Sequence, residues 1–163
     1  MNSMYEEGRF LKGGKSVRPV YNLQWASKDL GQETRIALGD VNADGSLEIV
    51  AGTCAAVSGG SNLYVFKYTG KTYHQLARES LGNHDTKCIR VFDIDRDGID
   101  EIIIGSNRAI LIYKMRGNRL VKIAEATVGG TVVSLTAADI DGDRCPEIVA
   151  AVSGKSTIYI FRF

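Results

Sequence analysis

The side chains best placed to do chemistry are carboxylates and amides at alternate positions of three nine-residue stretches: DVNADGSLE (40–48), DIDRDGIDE (93–101) and DIDGDRCPE (139–147). Oxygens at positions 1, 3 and 5 of a turning backbone converge on one point, and a hard cation such as Ca²⁺ collects about six to eight oxygens at roughly 2.3–2.6 Å. Asp40, Asn42 and Asp44 fill these positions in the first stretch, Asp93, Asp95 and Asp97 in the second, and Asp139, Asp141 and Asp143 in the third. Position 7 varies freely (Ser46, Ile99, Cys145), as expected of a residue that offers only its backbone carbonyl. Glu48, Glu101 and Glu147 follow at position 9. Gly45 and Gly98 at position 6 allow the positive φ of a sharp turn. Arg144 stands there in the third stretch, so that loop is expected to depart from the geometry of the others. Up to three Ca²⁺ ions are expected, the third loop being the weakest site and Mg²⁺ the alternative ion.

A calcium loop between two helices is excluded by the residues that come directly after each stretch. Such a loop needs a bidentate Glu at position 12, whereas here the acidic residue at position 9 opens EIVAG, EIIIG or EIVAA, whose β-branched residues favour strands. Plain Asp- and Gly-rich hairpin turns are the bland alternative; recurrence of loop and strand together three times argues against it. Charge argues the same way. The stretches hold three, five and four acidic residues, twelve of the chain's 19, beside only Arg96 and Arg144. They therefore sum to −10, and the rest of the chain to +11. Carboxylates so crowded repel one another unless a cation sits among them, and instability in chelator is the expectation.

The elements that position the loops recur with them. Each loop is preceded by a short strand, RIALGD, CIRVFD or SLTAAD, with Ile36/Leu38, Ile89/Val91 and Leu135/Ala137 expected to face inward. The apolar segment after the loop is expected to be buried on both faces. Next come NLYVFKY, AILIYKM and TIYIFRF, each ending aromatic, basic, apolar. A strand-like segment opens each repeat: VYNLQWASKDLG, TYHQLARESLG and RLVKIAEATVGG. Loop spacings of 53 and 46 residues, with four strands per period and no helical periodicity, fit a propeller. The insertion CAAVSGGSN accounts for the longer spacing. Residues 1–16 read as a tail, and the repeats as about 17–70, 71–117 and 118–163.

DxDxDGxxE followed by an apolar strand resembles the calcium loop of FG-GAP repeats, the integrin-α-type or VCBS β-propeller family. The resemblance covers nearly the whole chain from about Val17, although the family's loop more often closes with Asp than with Glu. It implies an all-β fold: a partial β-propeller of three four-stranded blades, with structural calcium loops joining the first and second strands of each. It also implies protein or glycan ligands docking on a propeller face. The chain opens with an outermost-type strand and stops at Phe163, before the outermost strand of its third blade. Three blades are fewer than the usual four to eight. Closure into a larger ring is therefore expected, by the remaining blades of a longer chain or by self-association. A homodimer would give six blades, each copy donating Val20–Ser27 to the other's open edge, which otherwise invites aggregation.

Other chemistries find little support. The triplets at Gly14–Ser16, Gly70–Thr72 and Gly154–Ser156 lack the glycine five residues earlier that a phosphate loop needs, having Arg9, Val65 and Val149 there, and read as turns. There is no GxSxG elbow and no histidine placed near a plausible Ser or Cys nucleophile. The carboxylates converge locally instead of facing across a cleft as a glycosidase pair does. Basic residues are scattered singly, which fits solvated strand faces better than nucleic-acid binding. No apolar run approaches the roughly 18 residues of a membrane span, and MNSMYEEGRF has no signal-peptide core. Cys54, Cys88 and Cys145 lack metal-binding spacing and fit free thiols in a reducing compartment. Tyr21, Trp25, Tyr64, Tyr73, Tyr113 and Tyr159 fit packing between blades better than a sugar-stacking platform. The expected function is a calcium-stabilised binding or assembly module without catalytic activity. A propeller lectin, or the accessory propeller of a polysaccharide-active enzyme, is the alternative.

Overall fold

The computed structural model describes residues 22–31, 33–54, 60–154 and 157–163. Among the described residues there are eleven strands and no helix. The first sheet consists of β1 (Thr34–Gly39), β2 (Glu48–Thr53), β3 (Ser61–Tyr68) and β4 (Tyr73–Gly82), each strand antiparallel to the next. The second repeats that order with β5 (Cys88–Phe92), β6 (Glu101–Gly105), β7 (Ala109–Arg116) and β8 (Arg119–Thr127). The third has three strands, β9 (Val132–Ala138), β10 (Glu147–Val152) and β11 (Thr157–Arg162), with β11 at its edge. Of the three four-stranded blades expected, two have all four strands, and the third, expected to lack its outermost strand, has three. The expected Val20–Ser27 strand is corrected: residues 22–31 form no strand, and Val20 and Tyr21 lie outside the described residues, as do residues 1–16 and 55–59.

Each acidic stretch is the connection of a hairpin. Gly39 pairs with Glu48, Phe92 with Glu101 and Ala138 with Glu147, so the position-9 glutamate is the first residue of the returning strand.

Alternation of side chains across each strand gives every sheet two apolar faces, and the core lies between successive sheets. Val50, Leu63 and Val65 of the first sheet pack on Ile89, Ile102, Ile104 and Leu111 of the second. On the other side of the second sheet, Ile103, Ile110 and Ile112 pack on Leu135, Ile148 and Ala150 of the third. Close approach needs glycine at one position of β2 and β6. A Cβ on Gly52 would lie 2.6 Å from Thr86 Oγ1, and one on Gly105 would lie 2.5 Å from Cys88 Sγ and 2.6 Å from a Val132 methyl. The equivalent residue of the third sheet, whose corresponding face is not covered, is Ala151.

Ile89 and Leu135 face inward as expected, both 2% exposed. Ile36 and Leu38 do not: they are 66% and 59% exposed. The strand pattern puts them on the equivalent face, but no sheet precedes the first one among the described residues. Residues 22–31 cover part of that face, with Trp25 against Phe66 and Tyr73 at ring-centroid distances of 5.5 and 5.1 Å and Leu30 packed beside them.

Candidate metal centre

All three loops share one backbone form. Positions 4 and 6 have positive φ in each: Ala43 (58°) and Gly45 (81°), Arg96 (61°) and Gly98 (85°), Gly142 (80°) and Arg144 (73°). The third loop carries its glycine at position 4 instead of 6 and keeps both left-handed positions despite Arg144; it departs in one bond, its first aspartate accepting the position-4 N–H where the others accept that of position 5. The side chains at positions 1, 3 and 5 bind the loop's own backbone. Asp40 accepts the N–H groups of Asp44 and Gly45, and Asp93 those of Asp97 and Gly98. Asp139 accepts those of Gly142 and Arg144. The position-3 oxygens of Asn42, Asp95 and Asp141 accept the position-5 N–H groups of Asp44, Asp97 and Asp143. The position-5 oxygen accepts the N–H of Ser46, Ile99 and Cys145. The position-9 glutamates are buried (Glu48 0%, Glu101 0%, Glu147 3% exposed). Glu101 and Glu147 accept the N–H of Ile94 and Ile140 at position 2. Adjacent loops also touch: the Asp40 N–H donates to Asp100 Oδ2, and the Asp100 N–H to the Asp40 carbonyl.

The carboxylates converge in two of the loops. One oxygen each from Asp93, Asp95 and Glu101 lies within 4.8 Å of the others, and the same holds for Asp139, Asp141 and Glu147. Two oxygens bound at about 2.5 Å to one Ca²⁺ are at most about 5 Å apart, so both sets fit a hard divalent cation. In the first loop position 3 is an amide, and Asn42 Nδ2 donates to Glu48 Oε1. Asp97 and Asp143 stand outside the converging triads.

The sequence reading missed a basic side chain in each loop. Lys114 of β7 puts its ammonium 2.8 Å from Asp95 Oδ2 and 2.8 Å from Asp97 Oδ2, and against Glu101 Oε1. Arg162 of β11 places Nη2 2.6 Å from Asp141, 3.0 Å from Asp143 and 3.1 Å from Glu147. Lys67 of β3 touches Asp44 and lies 3.6 Å from Glu48. These are the basic residues of the aromatic–basic–apolar endings, a signal that was present in every repeat.

Burial pushes the Glu48 and Glu101 carboxyls up. The Lys114 ammonium and the Ile94 N–H pull Glu101 back. Burial alone would lower Lys114, but its bonds to Asp95, Asp97 and Glu101 outweigh this and hold it above the ordinary lysine value, so it is charged. Asp97 is held low, first by its bond to Lys114, and Asp141 is held low by the Asp143 N–H and then by Arg162.

Away from the loops, one histidine meets a serine that is distant in sequence. His84 Nδ1 lies 3.3 Å from Ser106 Oγ, 22 residues distant in sequence, with His84 Nε2 3.7 Å from Glu125. The serine is fully buried and its hydroxyl donates to the Ala109 carbonyl, which makes it a turn residue. Gly70–Thr72 is part of the β3–β4 hairpin turn, with the Thr69 N–H bonded to the Thr72 carbonyl. Cys54 is buried, Cys88 half-buried and Cys145 exposed, all as free thiols.

Stacked antiparallel sheets, each with an acidic hairpin loop between its first two strands, define a β-propeller-type repeat module. The sequence model for the FG-GAP-like repeat matches residues 40–104 and 93–150, each match opening on the first aspartate of a loop. The chain belongs to this family. No curated protein matches it.

Proposed function

We propose that the chain is an assembly module without catalytic activity, a section of a β-propeller ring that a second copy of itself completes. The observation that carries this is the contrast between equivalent positions. Ile110 and Ile112, beneath the third sheet, are 2% and 5% exposed, whereas Ile158 and Ile160 of β11 are 68% and 60% exposed. Ile89 is 2% exposed and its equivalent Ile36 66%. One end of the stack thus presents the face that the second sheet offers to the third, and the other presents the face that receives it. A head-to-tail contact between copies would repeat an interface the molecule already contains.

Residues 22–31 support the same reading. They precede β1 as β4 precedes β5, and they lie over the first sheet as β4 residues Ala77 and Leu81 lie over the second. This is the place of a blade's outermost strand, held without a sheet to pair with among the described residues. The β11 edge of a second copy would supply that sheet. Two copies give six blades, and a protein or glycan ligand would dock on the ring's face.

Calcium is the external cation the loops would accept, through Asp93, Asp95 and Glu101, through Asp139, Asp141 and Glu147, and through Asp40, Asn42, Asp44 and Glu48. The carbonyls of Ser46, Ile99 and Cys145 would add backbone donors. Bound there, it would hold the carboxylates of one hairpin loop together and take no part in chemistry.

Light scattering tests the assembly. A mass near twice 17.7 kDa is expected, falling to 17.7 kDa in Ile160→Asp. A folded wild-type monomer at micromolar concentration would overturn closure by a second copy.

A further inference from the structure

The position a divalent ion would take in each loop is reached by a side chain of the same repeat. Lys114 contacts the carboxylates at positions 3, 5 and 9 of its loop, and Arg162 contacts the same three positions of its own. Lys67 contacts positions 5 and 9. The sheet register enforces this. Ile102 pairs with Tyr113, so Glu101 and Lys114 come next to each other across β6 and β7, and Glu147 pairs directly with Arg162.

We infer that the basic residue of the third strand is the loop's resident counter-ion, and that a divalent metal enters a loop only by expelling it. An ammonium already bonded to these oxygens and a cation bound to them at about 2.3–2.6 Å cannot share the site, because they need the same lone pairs and repel each other. Expulsion differs in difficulty between loops. The Lys114 side chain is 8% exposed, that of Lys67 29%, and that of Arg162 54%. Arg162 can swing into solvent, whereas Lys114 has the third sheet over its strand. The chain therefore keeps its fold in chelator, and its second loop resists metal most.

The inference rests on the loops being cation sites and is independent of self-association. Its test uses the full chain, with Ca²⁺ followed by calorimetric titration, Tb³⁺ by luminescence, and the melting temperature measured in EDTA and in Ca²⁺. In wild type the melting temperature is expected to be the same in EDTA, with the second loop filling only near millimolar Ca²⁺. Lys114→Gln should melt lower in EDTA, recover in Ca²⁺, and bind one equivalent at least about tenfold more tightly, about 1.4 kcal/mol. Arg162→Gln makes the same test in the third loop should Lys114→Gln fail to fold. If wild type binds metal tightly and the variants bind it no better, the counter-ion inference falls while the calcium reading stands. If neither wild type nor variants bind metal, both fall.

Discussion

The second and third sheets are built from the same sequence pattern and differ in what lies against them. In the second, both faces are covered, Ile110 and Ile112 are buried, and Lys114 is enclosed with its three carboxylates. In the third, the equivalent Ile158 and Ile160 are bare and Arg162 is half exposed over a loop with the same left-handed positions. The loop and its cation thus form within one repeat, while burial of the strand faces and of the cation depends on the neighbouring sheet. A blade of this protein is locally specified and becomes a core only when another blade packs on it.

The largest expected difference between the two sheets lies at the cations. Lys114→Gln removes the ammonium from beside a fully buried Glu101 and should destabilise by about 3 kcal/mol in urea unfolding with EDTA present, the scale of breaking a buried pair. Arg162→Gln should cost clearly less, because water already reaches that site. Equal losses would mean that the covering sheet does not set the worth of the cation. Next comes the glycine at which sheets approach. Gly105→Ala should destabilise by about 1–3 kcal/mol by overpacking against Cys88 and Val132, whereas Ala151→Gly, on the open face, should change stability by less than about 1 kcal/mol. The smallest effect concerns the loop backbone. Arg144→Gly should raise the melting temperature, by about 1 kcal/mol of relieved left-handed strain, with the metal stoichiometry unchanged.

Much of this was legible in the sequence because it is local. Alternate oxygens, a turn and a β-branched run define a hairpin without reference to anything distant, and three copies define the repeat. The rest depends on what packs where. Alternation assigned Ile36 and Leu38 to an inward face, and they stay exposed because, among the described residues, no sheet packs on that face. Arg144 looked disruptive because glycine was sought at position 6, while Gly142 two residues earlier supplies the same loop with its glycine at another left-handed position. The loop cations were missed because charge was summed by stretch. The excess of basic residues outside the loops looked scattered, yet Lys67, Lys114 and Arg162 occupy one repeat position opposite the excess of acid. His84 and Ser106 meet through a turn that no spacing rule predicts.

Joining of the first and third sheets across copies is the central claim, and cross-linking tests it most directly. The equivalents of Ile36 and Ile160 share a cluster at both internal interfaces: Ile89 with Val65, and Leu135 with Ile112. Chains carrying Ile36→Cys would be mixed with chains carrying Ile160→Cys, each with the exposed Cys145 replaced by Ser, and treated with a short thiol cross-linker. The account predicts a cross-linked dimer in the mixture and none from either variant alone. No dimer in the mixture, or as much from one variant by itself, would contradict it.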